Sequence, residues 1–257
     1  MNARSRKGIC CIGFGLVLLT GCGPEYEDAL EVTSFAIVRA SSSATSYEAE
    51  ASFMSPYRAG DCSTSPVKNG CAITRCNAAP PESERVAAGA LTIQGSETVV
   101  LNEDNDFSAS AERALFSSGD EVLLDLIASA DVPSVRRTLS APSGTALSLP
   151  PPVDEATPLE LKRGYALGFE WTPGESGFMR ASLQSGLVAV ACEWDLGDGA
   201  GLVDAAFIDQ LPASDGTDSA LEVWTEQSDV VRKGGWEFLF LLQGTVSGAG
   251  YASFLLD

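Results

Sequence analysis

The sequence predicts an all-β chain folded as two β-sandwich domains and braced by disulfides, and three observations predict it. Short apolar or alternating runs recur along the chain between Gly, Pro, Asn and Asp turns, which is the layout of many short strands. No long stretch carries a clean helical period, and SASAERALFSSG (residues 108–119) has room for a turn or two of helix at most. Four cysteines follow residue 22, an even set of the kind that forms a disulfide framework.

The strands are read in order. SFAIVRA, SYEAEASFM, CAITRC, ALTIQG, ETVVLN and EVLLDLIAS fill the first half. In the second of these, Tyr47, Ala49, Ala51 and Phe53 share one face and Glu48 and Glu50 the other, because side chains alternate along a strand. Leu147 to Pro158 then reads LSLPPPVDEATP. Three consecutive prolines cannot sit inside a sheet, so this is the expected boundary. Beyond it, Tyr165, Leu167, Phe169 and Trp171 share a face, as do Val188, Val190, Cys192 and Trp194. SALEVWTEQ, GWEFLFLLQG and GYASFLL follow, and DAAFIDQL has the look of a single helical turn. WEFLFLL is apolar on both faces and is expected as a central strand or at a domain interface. The expected division is a first segment at 1–21, a polar, acidic tether at 22–32, a sandwich at 33–149, a linker at 150–158 and a second sandwich at 159–257, each sandwich of immunoglobulin-like size.

The first 22 residues explain the tether. Arg4, Arg6 and Lys7 form a positive patch without acids, and Ile9–Leu19 is apolar but for Gly13 and Gly15. That run falls short of the about 20 residues that a spanning helix needs and has the length of an export signal's apolar core. It ends Leu18-Leu19-Thr20-Gly21-Cys22. This stretch resembles the lipobox of bacterial lipoproteins, and the layout as a whole is similar to the surface lipoproteins that large-genome myxobacteria encode in numbers. The resemblance implies cleavage before Cys22, a diacylglycerol on its thiol and an acyl chain on its new amino group. Each buried CH₂ of such chains contributes about 0.8 kcal/mol, so two or more chains hold a protein stably on a membrane. An aspartate after the cysteine retains members of that family in the inner membrane. Gly23 therefore implies a cell-envelope protein of the outer rather than the inner membrane. The layout implies no particular activity.

Composition narrows the chemistry. The chain carries 16 basic and 35 acidic residues; three of the basic ones and none of the acids precede Cys22, which leaves 13 against 35 and a net charge of −22. Such a surface repels phosphate backbones, so nucleic acid is not an expected partner. The expected partners are the membrane, through the acyl anchor, and an envelope protein or glycan. The chain contains no histidine. That removes Ser-His-Asp and Cys-His nucleophiles, the usual zinc ligands and the commonest general base, so no catalytic residue, metal ligand or cofactor site is expected.

Cys10 and Cys11 belong to the leader, and Cys62, Cys71, Cys76 and Cys192 are expected in disulfides. Cys71 and Cys76 flank one strand; extended, they stand about 16 Å apart at the strand rise, too far to bridge. Two pairings remain: Cys62–Cys71 with Cys76–Cys192, or Cys62–Cys76 with Cys71–Cys192. Pro66 and Asn69-Gly70 favour the first, because they fold the intervening chain back on itself. In either, Cys192 sits on an inward face and ties the first segment to the second half.

Candidate ligand sites are few. Glu170-Trp171, Glu193-Trp194 and Trp236-Glu237 place an acid beside a tryptophan, but strand neighbours face opposite ways, so core tryptophans send those glutamates to solvent. Trp224 differs: its same-face neighbours are Glu222 and Glu226, which makes it a possible ligand platform on an acidic face. Asn102 to Asp106 is oxygen-rich but lacks the spacing of a calcium loop, and reads as a solvated turn. Two functions follow. The first is a non-enzymatic binding or structural module; the second is a carbohydrate-binding or carboxylate-dependent glycan-active module built on Trp224 and nearby acids.

Overall fold

The computed structural model describes residues 8–13, 16–20, 32–56, 60–78, 84–150, 158–247 and 251–257. Cys22 and most of the proline-rich segment lie outside these residues. At the start, Gly8–Gly13 pairs antiparallel with Leu16–Thr20. From Ser34 on the architecture is all-β, organised by one ten-stranded sheet.

That sheet runs Cys62–Thr64, Cys71–Cys76, Val188–Asp195, Phe178–Ser185, Ser219–Lys233, Trp236–Gly244, Ser34–Ser42, Tyr47–Met54 and Ser108–Ala111, with Tyr251–Ala252 as a side branch on the long strand. The fifteen-residue strand Ser219–Lys233 joins two halves of the sheet. Its residues Ser219 to Glu226 pair with Phe178–Ser185, and its residues Thr225 to Lys233 pair with Trp236–Gly244. Thr225 and Glu226 are paired with both of these strands, one on each side, while Leu221 and Glu222 lie between Phe178–Ser185 and the side branch Tyr251–Ala252. Here Gly244 faces Thr225 so closely that an added Cβ would come within 2.5 Å of the threonine hydroxyl.

The register puts both cores on the same face. Val223 and Thr225 alternate with Trp224 and Glu226, and the inward set continues to Val231. One core gathers Ala36, Val38 and Ala40 with Phe238, Phe240 and Leu242, covered by the smaller sheet of Leu91–Gln94, Thr98–Leu101, Glu121–Leu126 and Val135–Ser140. The other gathers Met179, Leu183, Val190, Trp194 and Leu221, covered by the sheet of Thr145–Leu149, Leu167–Trp171, Ala200–Val203 and Val246–Ser247. Each is a β-sandwich core: an inward row of apolar residues from each sheet, withdrawn from water at about 25 cal/mol per Å².

Chain order and core membership part company across the expected division at 150–158. The stretch 33–149 contributes Cys71 and Ile73 to the second core, while the stretch 159–257 contributes Val231, Trp236, Phe238, Phe240 and Leu242 to the first. The reason lies in Trp236–Gly244. It is buried from Trp236 through Leu242 on both faces, and a strand of that composition needs neighbours on both edges. It finds them in the long strand on one side and, in parallel, in Ser34–Ser42 on the other. Phe35, Leu239 and Leu241 form a third, small apolar group on the outer face.

Two disulfides brace the second sandwich: Cys62–Cys76 and Cys71–Cys192. This is the second of the two pairings, not the one the turn residues favoured. Asn69 and Gly70, with φ of 52° and 80°, form a two-residue hairpin in which Lys68 and Cys71 exchange both backbone hydrogen bonds. The turn thus starts the strand Cys71–Cys76 instead of closing a ring from Cys62 to Cys71. Antiparallel register then sets Cys62 opposite Cys76 and Cys71 opposite Cys192. The second bridge is buried and spans 121 residues of chain.

Smaller expectations resolve as follows. Ala205–Ile208 is a single helical turn, and Ser108–Ala111 is an edge strand. Tyr165 leaves the face assigned to it: the strand begins at Leu167, and Tyr165 is 70% exposed in the preceding turn.

Candidate functional site

On the acidic face predicted around Trp224, Glu222 is exposed and Glu226 is buried. Trp224 is half-buried, and its indole N–H donates to Glu226 Oε2 at 2.8 Å. Across the sheet, Arg180 lies opposite Trp224 on one side and opposite Glu193 on the other. Glu193, Arg180 and Trp224 therefore form a row over three strands, with Glu226 in the next row, opposite Phe178. All four point away from the cores, because Met179, Ala181, Cys192 and Val223 take the inward positions.

The cluster is charged and withdrawn from water. Arg180 is 3% and Glu226 1% exposed. Arg180 Nη2 lies 2.6 Å from Glu193 Oε2 and 3.1 Å from Glu226 Oε1. These approaches miss the line of the N–H bonds, so Arg180 Nη2 and Glu226 Oε1 hold each other by charge and not through a directed hydrogen bond. Two carboxylates share one guanidinium, and the indole N–H takes up part of the remaining negative charge. Removing one member of such a group is far more damaging than never having built it, because the others stay buried and unpaired.

Chemically, this cluster is closed. Glu226 places one oxygen on Trp224 and the other against Arg180, while Glu193 is turned to Arg180. Glu222, the third member of the expected platform, is exposed and does not join them; its sheet neighbours are Ser182 and Tyr251.

The acid–tryptophan neighbours divide differently from expectation. Trp171, Trp194 and Trp236 are buried, and Glu170 faces solvent. Glu193 belongs to the Arg180 cluster, and Glu237 is itself buried. Its carboxylate accepts from Arg232 Nε and meets Arg232 Nη2, both at 2.6 Å, across the strand pair. Both corrections share one cause: the outer face of the long sheet carries arginines at the matching register positions, and these draw the carboxylates in.

The oxygen-rich segment 102–106 is a capped 3₁₀ turn over Glu103–Asn105. Asn102 accepts from the Asp104 backbone N–H, and Asn105 accepts from the Asn102 N–H. The side-chain oxygens of the two asparagines are thereby committed to the backbone. Asp195 acts alike at Gly197. Asp204 instead links two segments, meeting Lys68 Nζ at 2.9 Å and accepting from Asn69 at 3.1 Å. The Lys68 hydrogen bond, with the Lys68 charge and the Asn69 hydrogen bond behind it, holds the Asp204 carboxyl below its ordinary range.

Sequence reasoning missed Arg180. Its strand, FMRASLQS, alternates cleanly enough to send Arg180 outward, but nothing local names partners that arrive from two other strands.

No protein-family model matches the chain, and no curated protein matches it. Among solved structures, the chicken CNTN1 FN1–FN3 domains share 10% identity, cover 74% of this chain and 67% of that one, and superpose at a TM-score of 0.18. The three-Ig structure of titin domains I67–I69, an E-to-A mutated variant, shares 10% identity over 85% of this chain and 98% of that one, at a TM-score of 0.14. The architecture described above rests on strand pairing and core membership, not on these superpositions.

Proposed function

We propose that this chain is a lipid-anchored protein of the bacterial cell envelope, attached through Cys22 and acting as a non-enzymatic binding or structural module. The observation that carries the reading is the sequence of the first 22 residues, a short basic patch and a short apolar run ending in Leu-Leu-Thr-Gly-Cys. The body suits that address. Two disulfides join strands of one sheet, chemistry that lasts in oxidising compartments. A net charge near −22 after cleavage keeps the body off anionic lipid, standing away from the bilayer on its tether.

The non-enzymatic part rests on the state of the carboxylates. The acids with the best claim to chemistry, Glu193, Glu226 and Glu237, are engaged by Arg180 or Arg232, and Trp224 turns its polar edge to Glu226. A glycan platform needs those groups facing a ligand, so the carbohydrate reading loses its central residues.

The test is metabolic labelling with a clickable fatty acid. Wild type is expected to incorporate label, partition into detergent and run at the mass of a chain beginning at Cys22, and Cys22→Ser to lose all three. An unlabelled wild type, with Cys22→Ser still membrane-bound, refutes the anchor.

A further inference from the structure

The two disulfides differ in the way that decides thiol–disulfide exchange. Cys71 and Cys192 are 0% and 1% exposed, packed in the second core with Ile73, Val190 and Trp194. Cys62 and Cys76 are only partly buried, and their bridge ties Cys62–Thr64, a three-residue strand at the very edge of the ten-stranded sheet. Cys76 also lines a shallow surface dent of about 10 Å³, with Thr74, Gln184, Leu187 and Val188 among its walls. An incoming thiolate must approach a sulfur atom directly, so access separates two bridges of the same protein.

We infer that Cys62–Cys76 is a site of reversible thiol–disulfide exchange with a dithiol reductant, small or protein-borne, while Cys71–Cys192 is a permanent brace. In the first step the attacking thiolate bonds to Sγ of Cys76, the S–S bond breaks, and Cys62 leaves as a thiolate. In the second, the reductant's other thiol attacks the mixed disulfide, releasing Cys76 as a thiolate and leaving the reductant as its own disulfide. Two electrons pass from reductant to protein, and oxidation runs the same steps in reverse. Reduction leaves the edge strand held by its backbone pairing, the Thr64–Thr74 hydroxyl contact and the Asn77–Asp61 hydrogen bond. These are weak enough for the strand to lift and bare the edge of Cys71–Cys76, a segment that can then pair with another extended chain.

The chain itself supplies the assay. Lys68, Arg75 and Arg180 place each of the four cysteines on its own tryptic peptide. The folded full-length protein is exposed to dithiothreitol, quenched at intervals with a maleimide and mapped, while tryptophan emission is recorded. Cys62 and Cys76 are expected to label together, at least about tenfold faster than Cys71 and Cys192, with no change in emission during that phase. Labelling of all four at one rate, labelling of Cys71 and Cys192 first, absence of labelling in the folded protein, or a red shift accompanying the first phase would each overturn the proposal.

Discussion

The indole N–H of Trp224 donates to Glu226 Oε2 at 2.8 Å, where the long strand passes from its pairing with Phe178–Ser185 to its pairing with Trp236–Gly244. The joint between the two sandwiches thus coincides with the buried charge cluster. Arg180 arrives from one half of the sheet, and Glu226 lies where the other half begins.

This makes Glu226 and Arg180 sensitive positions, each a buried charge held by the other. Glu226→Leu leaves Arg180 with one carboxylate and strands the Trp224 N–H. Arg180→Met leaves the buried Glu226 and the partly buried Glu193 without their shared cation. Each is expected to cost about 3–5 kcal/mol, and the double variant less than the sum, because the second change removes a group the first had orphaned. Urea unfolding followed by tryptophan emission reads both; additive losses would mean the two side chains do not act together.

The bridges should differ in what they contribute to stability. Cys71–Cys192 spans 121 residues and Cys62–Cys76 spans 14. On the chain-entropy account the longer loop is worth about 2 kcal/mol more. Replacing Cys71 and Cys192 together by alanine should therefore lower the unfolding midpoint well beyond the Cys62→Ala/Cys76→Ala pair. Equal effects would show that strand pairing already fixes the ends of the long loop.

Asp204 gives a prediction in pH. Its folded-state pKa is lowered from an ordinary 3.8, chiefly by the Lys68 hydrogen bond. A depressed carboxyl contributes stability that is fully present above the unfolded value and is lost as pH falls through the folded one. The stability difference between wild type and Asp204→Asn should thus be constant above about pH 5 and shrink as the pH falls below that. The site is exposed, so salt should reduce the difference too. A difference that changes between pH 5 and 8 would point to another group.

Much of this was legible in the sequence, and what was not has a common cause. Alternation in Tyr47–Met54 and Val188–Asp195 reports faces because each strand carries its own pattern. The two-sided burial of Trp236–Gly244 was equally plain, but which sandwich it enters was not, since that depends on a parallel partner some 200 residues away at Ser34–Ser42. The Pro-rich stretch after Leu149 marks a break in the chain and carries no information about which core the flanking strands join. The surroundings of Trp224 were out of reach for the same reason. Its same-strand neighbours share a face as the alternation requires, while the guanidinium that meets Glu226 comes from Phe178–Ser185. The Asn69-Gly70 turn was read correctly as a turn, and its consequence for pairing depended on register.

The interleaving of the two cores is tested most directly by the fragment Asp154–Asp257. It contains all four tryptophans, the whole long strand and a length suited to a single sandwich. It lacks Cys71–Cys76, which supplies Ile73 to the second core and the partner of Cys192, and it lacks Ser34–Ser42, without which Trp236–Gly244 has an unpaired apolar edge. The measurement is tryptophan emission of the fragment through a urea titration. The interleaved architecture predicts emission near that of free tryptophan, or a gradual drift, with no cooperative transition. A blue-shifted baseline and a sharp cooperative transition would show that the second half folds by itself and would contradict it.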